Sequence, residues 1–200
     1  MGGTVSLTNS TNQFEWLAGR SSEFEVLLGS HRLGLMDFGE IEWAEENSPV
    51  GATLVVRKKR PGLEILIRTL AFHDRPGMER RFALINVSDQ TICLGPVCLE
   101  ILRFRCGVTA VKTSSGGLVL LHEDPAGKCG LMIGAEAGCV IEPRGEEYVI
   151  VFPEKRQLPP TGQWALPGAF LFSFTGEVNL AMESAYAEFR RHCAQRPIAD

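Results

Sequence analysis

Histidines followed directly by charged residues are the part of this sequence best suited to proton-transfer chemistry. His73 is followed by Asp74 and Arg75, and His122 is followed by Glu123. A histidine and a carboxylate on opposite sides of a bound substrate can act as general acid and general base. No motif declares a reaction, so we assign no catalytic residue; if the chain is an enzyme, the candidates are His73, His122, Glu123 and Glu142. The interpretation that we favour is that both histidines are strand-end or loop residues with ordinary hydrogen bonds, because no spacing distinguishes them.

The three tryptophans are the natural residues for binding a sugar, since the C–H face of a pyranose ring packs on an aromatic plane. Trp164 lies in a loop flanked by proline and glycine and is the one we expect to be exposed. Trp16 and Trp43 alternate with acidic residues and are expected in the core. The candidate ligand-binding residues are Trp164, His122 and Arg75. Even for Trp164 we favour packing of its loop onto the rest of the domain.

The six cysteines indicate neither a metal centre nor a disulfide framework. They form no C-x-x-C pair, and no histidine stands at zinc-finger spacing from them. Cys98 and Cys106 share a parity on one strand but are too far apart along it to chelate a single ion. We therefore predict reduced thiols, no metal site and no cofactor.

Charge and hydropathy argue against two classes of partner. The formal net charge of −4 argues against nucleic acid as the main partner. The basic run Arg57-Lys58-Lys59-Arg60 precedes Pro61-Gly62, so a solvated hairpin turn explains it without a phosphate ligand. The sequence shows no secretion signal and no run of apolar residues that could span a membrane. These features predict a cytoplasmic protein with no membrane association.

The strands that must position these residues are clearest in the central part of the chain. Short runs of β-branched and aromatic residues are separated there by polar, glycine or proline breaks every 8–12 residues or so, which is typical of an antiparallel sandwich. The predicted strands are residues 53–57, 63–68, 78–86, 92–94 and 97–103, and the first predicted turn is residues 58–62. The amide of Asn86 is expected to bond its own backbone and start the turn that Ser88 and Asp89 continue.

The flanking segments extend this pattern into one domain. Phe38 to Trp43 alternates apolar and polar residues, as a strand with one buried face should. Apolar residues recur at helical spacing from Val178 to Phe189, which predicts an amphipathic helix. We therefore expect a mainly β antiparallel sandwich over residues 1–175, one C-terminal amphipathic helix over 176–193 packed on it, and a tail over 194–200.

The segment Leu63–Leu94 resembles the N-terminal β-sandwich domain of bacterial alpha-galactosidases (melibiases), and more broadly the galactose-mutarotase-like supersandwich. The likeness lies in an apolar strand, the turn Arg75-Pro76-Gly77, a strand that ends in Leu84-Ile85-Asn86, and a polar turn. Ala169–Glu177 and the predicted helix resemble the last strand and linker helix that lead into the catalytic barrel of those enzymes. The resemblance implies a supersandwich without the barrel, so no glycosidase residue carries over to this chain.

Three functions follow as hypotheses. The first is a stand-alone, non-catalytic supersandwich module that binds a carbohydrate or acts in assembly. The second is a small aldose-epimerase-like enzyme, because mutarotases of the superfamily that the chain resembles use a histidine acid and a carboxylate base. The third is a purely structural domain that docks on a protein partner or on itself. A convergent His–carboxylate pair would favour the second, and an exposed apolar patch would favour the third.

Overall fold

The computed structural model of the chain describes residues 7–8, 14–19, 21–22, 24–74, 76–105, 108–112, 118–124, 127–136, 138–175 and 187. Within these residues fifteen strands pair in antiparallel fashion and form two sheets. The predicted antiparallel β-sandwich is thereby confirmed. The predicted helix and tail, residues 176–200, lie outside the described residues except for Ala187.

The strands are numbered in chain order. They are β1 (Glu25–Leu28), β2 (His31–Gly34), β3 (Glu40–Asn47), β4 (Gly51–Arg60), β5 (Leu63–Phe72), β6 (Gly77–Asn86), β7 (Ile92–Arg103), β8 (Thr109–Lys112), β9 (Leu118–Asp124), β10 (Gly127–Ala135), β11 (Val140–Arg144), β12 (Glu147–Phe152), β13 (Arg156–Leu158), β14 (Gln163–Ala165) and β15 (Ala169–Thr175). A 3-10 turn, Leu35–Asp37, follows β2.

The two sheets differ in the number of their strands. The six-stranded sheet has the order β11-β12-β7-β1-β2, with β13 also paired to β7. The nine-stranded sheet has the order β3-β4-β5-β6-β15-β10-β9-β8, with β14 also paired to β6. Buried aliphatic and aromatic residues from both sheets form one core between them, including Ile65, Phe82, Leu84 and Leu99.

The alternation of side chains in β5 and β6 fixes which face of the nine-stranded sheet contacts the core. Ile65 pairs with Leu84 and Ile67 pairs with Phe82, and all four are buried. Because paired residues lie on the same side of an antiparallel sheet, these residues define its core-facing side. The pairing register thus places the apolar residues of both strands on the same, buried side of the sheet.

The β4–β5 hairpin is tighter than predicted. Strand β4 continues through Arg60, which pairs with Leu63, so only Pro61 and Gly62 form the turn. Gly62 has φ of +82°, a left-handed conformation that glycine adopts at little cost. The expectation of a solvated basic turn over residues 58–62 is therefore wrong at Lys58, which is buried and donates from Nζ to the carbonyl of Leu35 at 2.5 Å.

Asn86 organises the turn that follows β6, as the sequence predicted. The Asn86 Oδ1 accepts hydrogen bonds from the backbone N–H and the hydroxyl of Ser88, at 2.9 and 2.7 Å. Its Nδ2 donates to the carbonyls of Gln90 and Leu158, each at 2.8 Å. The bond to Leu158 joins the β6–β7 turn to β13, which the sequence did not indicate.

Candidate functional site

The candidate catalytic residues do not converge where their side chains are described. His73 is exposed in the turn after β5 of the nine-stranded sheet. Its backbone N–H donates to the carbonyl of Val50 at 3.2 Å. Glu142 is exposed on β11, at an edge of the six-stranded sheet. The backbones of His122 and Glu123 pair with β10 from β9, but their side chains, like all of Arg75, lie outside the described residues. His73 and Glu142, the two candidates whose side chains are described, thus lie at different sheets of the sandwich.

The favoured packing of the Trp164 loop is confirmed, whereas the expected burial of Trp43 is wrong. Trp164 is only 2% exposed, because β14 pairs it with Leu84 of β6 and its ring packs 6.0 Å from that of Phe152. Its indole is not accessible for stacking on a ligand. Trp43, expected in the core, is 67% exposed, whereas Trp16 is buried as expected. Among the three tryptophans, Trp43 is thus the exposed one.

The described cysteines are free thiols. Burial raises the pKa of Cys139 to about 12, with a further contribution from the charge of Glu136. Among the described residues, no three His, Cys, Asp or Glu side chains lie close enough together to hold a metal ion. No helix of this described part is long and apolar enough to cross a membrane.

Strand β3 forms one edge of the nine-stranded sheet and is exposed along its whole length. In the described part of the chain it pairs only with β4, in a continuous register from Glu40–Lys59 to Asn47–Ala52. All eight of its residues are exposed, so the predicted burial of one face is wrong. Exposed edges carry unpaired backbone N–H and C=O groups and readily accept a further strand.

The core-facing side of the large sheet continues onto β3 without cover. Burial decreases from Ile67 in the core, through the half-buried Val56, to the exposed Trp43, each paired with the next. Ile41 and Leu54 lie on the same side of the sheet and are 44% and 40% exposed. We call the exposed apolar set Ile41, Trp43 and Leu54 the β3 patch.

The opposite side of the same strands carries a ladder of alternating charge. Glu40 and Glu42 of β3 face Lys59 and Arg57 of β4, and Lys59 pairs in turn with Glu64 of β5. The Glu42–Lys59 ion pair is 2.7 Å long and the Arg57–Glu64 pair is 3.9 Å long. The hydrogen bond and charge of Lys59 lower the pKa of Glu42, and the hydrogen bond to Glu42 raises the pKa of Lys59. The ladder ends in acidic residues at the open edge.

A polar groove of about 510 Å³ continues this surface at the β4–β5 turn. Its lining includes Asp37, Glu40, Lys59, Arg60 and Glu64. The groove shares Glu40 and Lys59 with the charge ladder, so the two features form one continuous charged surface. A partner seated on β3 would reach polar groups here in addition to the β3 patch.

The acidic composition of β3 is the sequence feature that could have predicted this exposed edge, which the alternation of apolar and polar residues did not reveal. Glu40, Glu42, Glu45 and Glu46 make β3 the most acidic strand of the chain, with no basic residue among its eight. Charged residues on a strand are typical of an edge. The acidic residues of this segment therefore indicated an exposed edge more reliably than its alternation indicated burial of Trp43.

Comparison with known proteins identifies the fold. No protein-family model and no curated protein matches the sequence. Among solved structures, the chain is similar to the GH36 alpha-galactosidase AgaB of Geobacillus stearothermophilus, with 10% identity, a TM-score of 0.51, and coverage of 86% of this chain and 32% of that one. It is also similar to an alpha-galactosidase of Lactobacillus brevis, with 12% identity, a TM-score of 0.51, and coverage of 88% and 34%.

A third similar structure is a glycoside hydrolase family 97 enzyme of Pseudoalteromonas sp. strain K8, with 12% identity, a TM-score of 0.51, and coverage of 80% and 31%. The chain thus spans about a third of the length of each of these proteins. The resemblance to a domain of alpha-galactosidases is confirmed at the level of the fold. At such low identity the likeness extends to the fold and not to the chemistry.

Proposed function

We propose that this chain is a non-catalytic β-sandwich module that docks on a protein partner through the open edge of β3. The observation that carries the proposal is the eight-residue edge strand, exposed on both sides and continuous with the β3 patch. An exposed apolar patch beside an unpaired strand edge is a typical protein-binding surface. The separation of His73 from Glu142 gives no comparable support to an epimerase.

The occupant that fits this edge is an extended segment of alternating basic and apolar residues. On one side of the sheet it would place lysine or arginine opposite Glu40, Glu42 and Glu46, which continues the alternation of charge from β5 through β4 to β3. On the other side it would place apolar side chains over Ile41 and Trp43. Main-chain hydrogen bonds to β3 would provide much of the affinity and the two rows of side chains the specificity.

A second copy of this chain fits the edge poorly. Antiparallel pairing of β3 with another β3 would bring glutamates of one strand close to glutamates of the other, because four of the eight residues are Glu and none is basic. Like charges that face each other across strands are destabilising. Charge complementarity therefore favours a different, basic partner.

A titration monitored by NMR tests the proposal with a defined probe. We would add a short capped peptide of alternating lysine and valine to the labelled protein and follow the backbone amides of β3. We expect saturable shifts along β3 and slower hydrogen exchange of its edge amides. Trp43→Ala should weaken binding by about tenfold or more, as expected for a central aromatic anchor. Glu42→Lys should also weaken binding, and added salt should weaken it further.

Two controls separate strand docking from simple charge attraction and from contacts elsewhere on the surface. A peptide of the same composition with its lysines and valines in separate blocks should bind more weakly, and Val140→Ala, at an exposed site on the other sheet, should leave binding unchanged. Equal binding of both peptides would overturn the docking mode. If short oligosaccharides instead shift the Trp43 indole signal and the peptide does not, β3 is a carbohydrate-binding surface and the protein-docking proposal is wrong.

A further inference from the structure

The side of the nine-stranded sheet that faces away from the core carries a row of buried phenylalanines. Phe170, Phe172 and Phe174 of β15 alternate along the strand with the core residues Ala169 and Leu171, so their rings lie on the outer side. These three residues, which we call the phenylalanine face, are nevertheless only 0%, 4% and 8% exposed. Apolar rings on the outer side of a sheet are buried only where another element covers them.

Glycines on the neighbouring strands let these rings lie close to the sheet. A Cβ at Gly77 of β6 would overlap the ring of Phe172, and one at Gly130 of β10 would overlap the ring of Phe174. The rings of Phe170 and Phe172 are nearly parallel, with an angle of 9° between their planes and centroids 6.5 Å apart. Strand β15 lies between β6 and β10 in the middle of the sheet. The phenylalanine face is therefore a low apolar platform of the kind on which helices pack.

The sequence that follows β15 has the pattern of such a helix. Strand β15 ends at Thr175, and only Gly176 and Glu177 separate it from Val178, the first residue of the apolar stripe. Three residue steps span at most about 11 Å, so the stripe must begin beside the sheet that contains β15. The core-facing side of that sheet is already filled by residues of the two sheets. The phenylalanine face is thus the apolar surface within reach.

Ala187, the one described residue between positions 176 and 200, supports this orientation. It is helical and exposed. With 3.6 residues per turn, it lies about 170° around the helix axis from the mean direction of the stripe formed by residues 178, 181, 182, 185, 186 and 189. A helix that turns Ala187 to solvent therefore turns its apolar stripe towards the surface on which it lies.

We propose that residues 176–193 form an amphipathic helix that folds back over β15 of the same chain and covers the phenylalanine face. The stripe from Val178 to Phe189 is about 17 Å long at 1.5 Å per residue. The row from Phe170 to Phe174 is about 13 Å long at 3.3 Å per residue, so the two lengths match. Met182, near the middle of the stripe, would contact Phe172. This inference does not depend on the docking proposed for β3.

Methyl NMR of the intact protein tests the placement. With the methionine ε-methyl groups labelled with ¹³C, the Met182 signal is identified by its loss in Met182→Leu. We expect nuclear Overhauser effects from this methyl group to phenylalanine ring protons, and we expect them to disappear in Phe172→Leu. Met132, which pairs with Phe172, is the positive control, and Met36, which is 69% exposed, is the negative control. The absence of any effect between Met182 and a phenylalanine ring overturns the proposal.

The same experiment on an equal mixture of labelled and unlabelled protein separates the two possible sources of the helix. An isotope filter selects contacts between different molecules. We expect none between Met182 and Phe172, because the helix covers its own chain. A contact that passes the filter would mean that a second copy supplies the helix, which also overturns the proposal.

Two matched substitutions on opposite sides of the helix provide an independent check. Ala185→Glu places a carboxylate on the stripe, whereas Ala187→Glu places it on the exposed side. Ala185→Glu should increase the binding of a dye that recognises apolar surface. It should also speed hydrogen exchange of the β15 amides by about tenfold or more, because a carboxylate is not tolerated against the rings. Ala187→Glu should change neither, and equal responses of the two variants overturn the proposal. The methyl contacts of the unaltered chain decide the matter even if Ala185→Glu does not fold.

Discussion

Arg80 and Glu100 form an ion pair between the two sheets, out of reach of bulk water. Arg80 lies on β6 and Glu100 on β7, and their side chains are 6% and 0% exposed. The Nη1–Oε1 distance is 2.7 Å, and Arg80 Nε also donates to the hydroxyl of Thr69 at 3.1 Å. A buried pair of this kind contributes little net stability, but the loss of one partner leaves an uncompensated charge in the core.

We therefore expect asymmetric effects of substitution at this pair. Arg80→Met should lower the free energy of unfolding by about 3–5 kcal/mol, because the buried Glu100 would lose its ion pair with Arg80. Arg80→Met combined with Glu100→Leu should recover most of that loss. Urea unfolding followed by circular dichroism measures both values, with Arg68→Met on the exposed face of β5 as the control. A double variant no more stable than the single one would contradict this account.

At the scale of elements, the β6–β7 turn and β13 are joined through one side chain. Asn86 is fully buried, and its amide accepts from the turn and donates across to the carbonyl of Leu158. The pattern of the turn allowed the local bonds to be predicted, because Asn, Ser and Asp in succession commonly bond their own backbone. The bond to Leu158 spans 72 residues of sequence. No local pattern indicates such a contact.

Replacement of Asn86 should therefore affect more than its own turn. Asn86→Ala would leave the buried carbonyl of Leu158 without this donor, and we expect a loss of about 2–4 kcal/mol in the free energy of unfolding. Asn86→Asp should be similarly harmful, because a carboxylate cannot donate to the two carbonyls that the amide now bonds. Chemical unfolding measures the change, and Asn47→Ala on the exposed β3 serves as the control. A loss no greater than that of the control would show that the cross-link to β13 has no energetic role.

At the scale of the whole molecule, the sequence predicted the strands better than it predicted what covers them. The alternation in Phe38–Trp43 correctly indicated a strand, and Trp43 does lie on the core-facing side of the sheet. Trp43 lies on β3, the edge strand of the nine-stranded sheet, and which strand forms the edge depends on pairing between strands that the local pattern does not reveal. Trp164 illustrates the reverse case, because pairing with β6 turns part of a stretch predicted as an irregular loop into a short strand in which Trp164 is buried.

The acidic composition of β3 also has a consequence for the molecule as a whole. An exposed edge strand is a template for aggregation, and charged residues are a common protection against it. Glu40, Glu42 and Glu46 lie on one side of β3, where a neighbouring copy would bring its own glutamates into proximity. The same charges that would select a basic partner would thus disfavour pairing of the edge with itself.

Neutralising these charges should convert β3 into a self-association site. The triple variant Glu40→Gln, Glu42→Gln and Glu46→Gln should form dimers or larger species at concentrations where the unaltered protein does not, because the repulsion is gone while the edge and the β3 patch remain. Light scattering coupled to size-exclusion chromatography measures the mass. The matched control Glu142→Gln, Glu146→Gln and Glu154→Gln removes the same charge from other exposed positions and should leave the mass unchanged. Association of both triples to the same extent would mean that net charge, rather than the edge of β3, governs solubility.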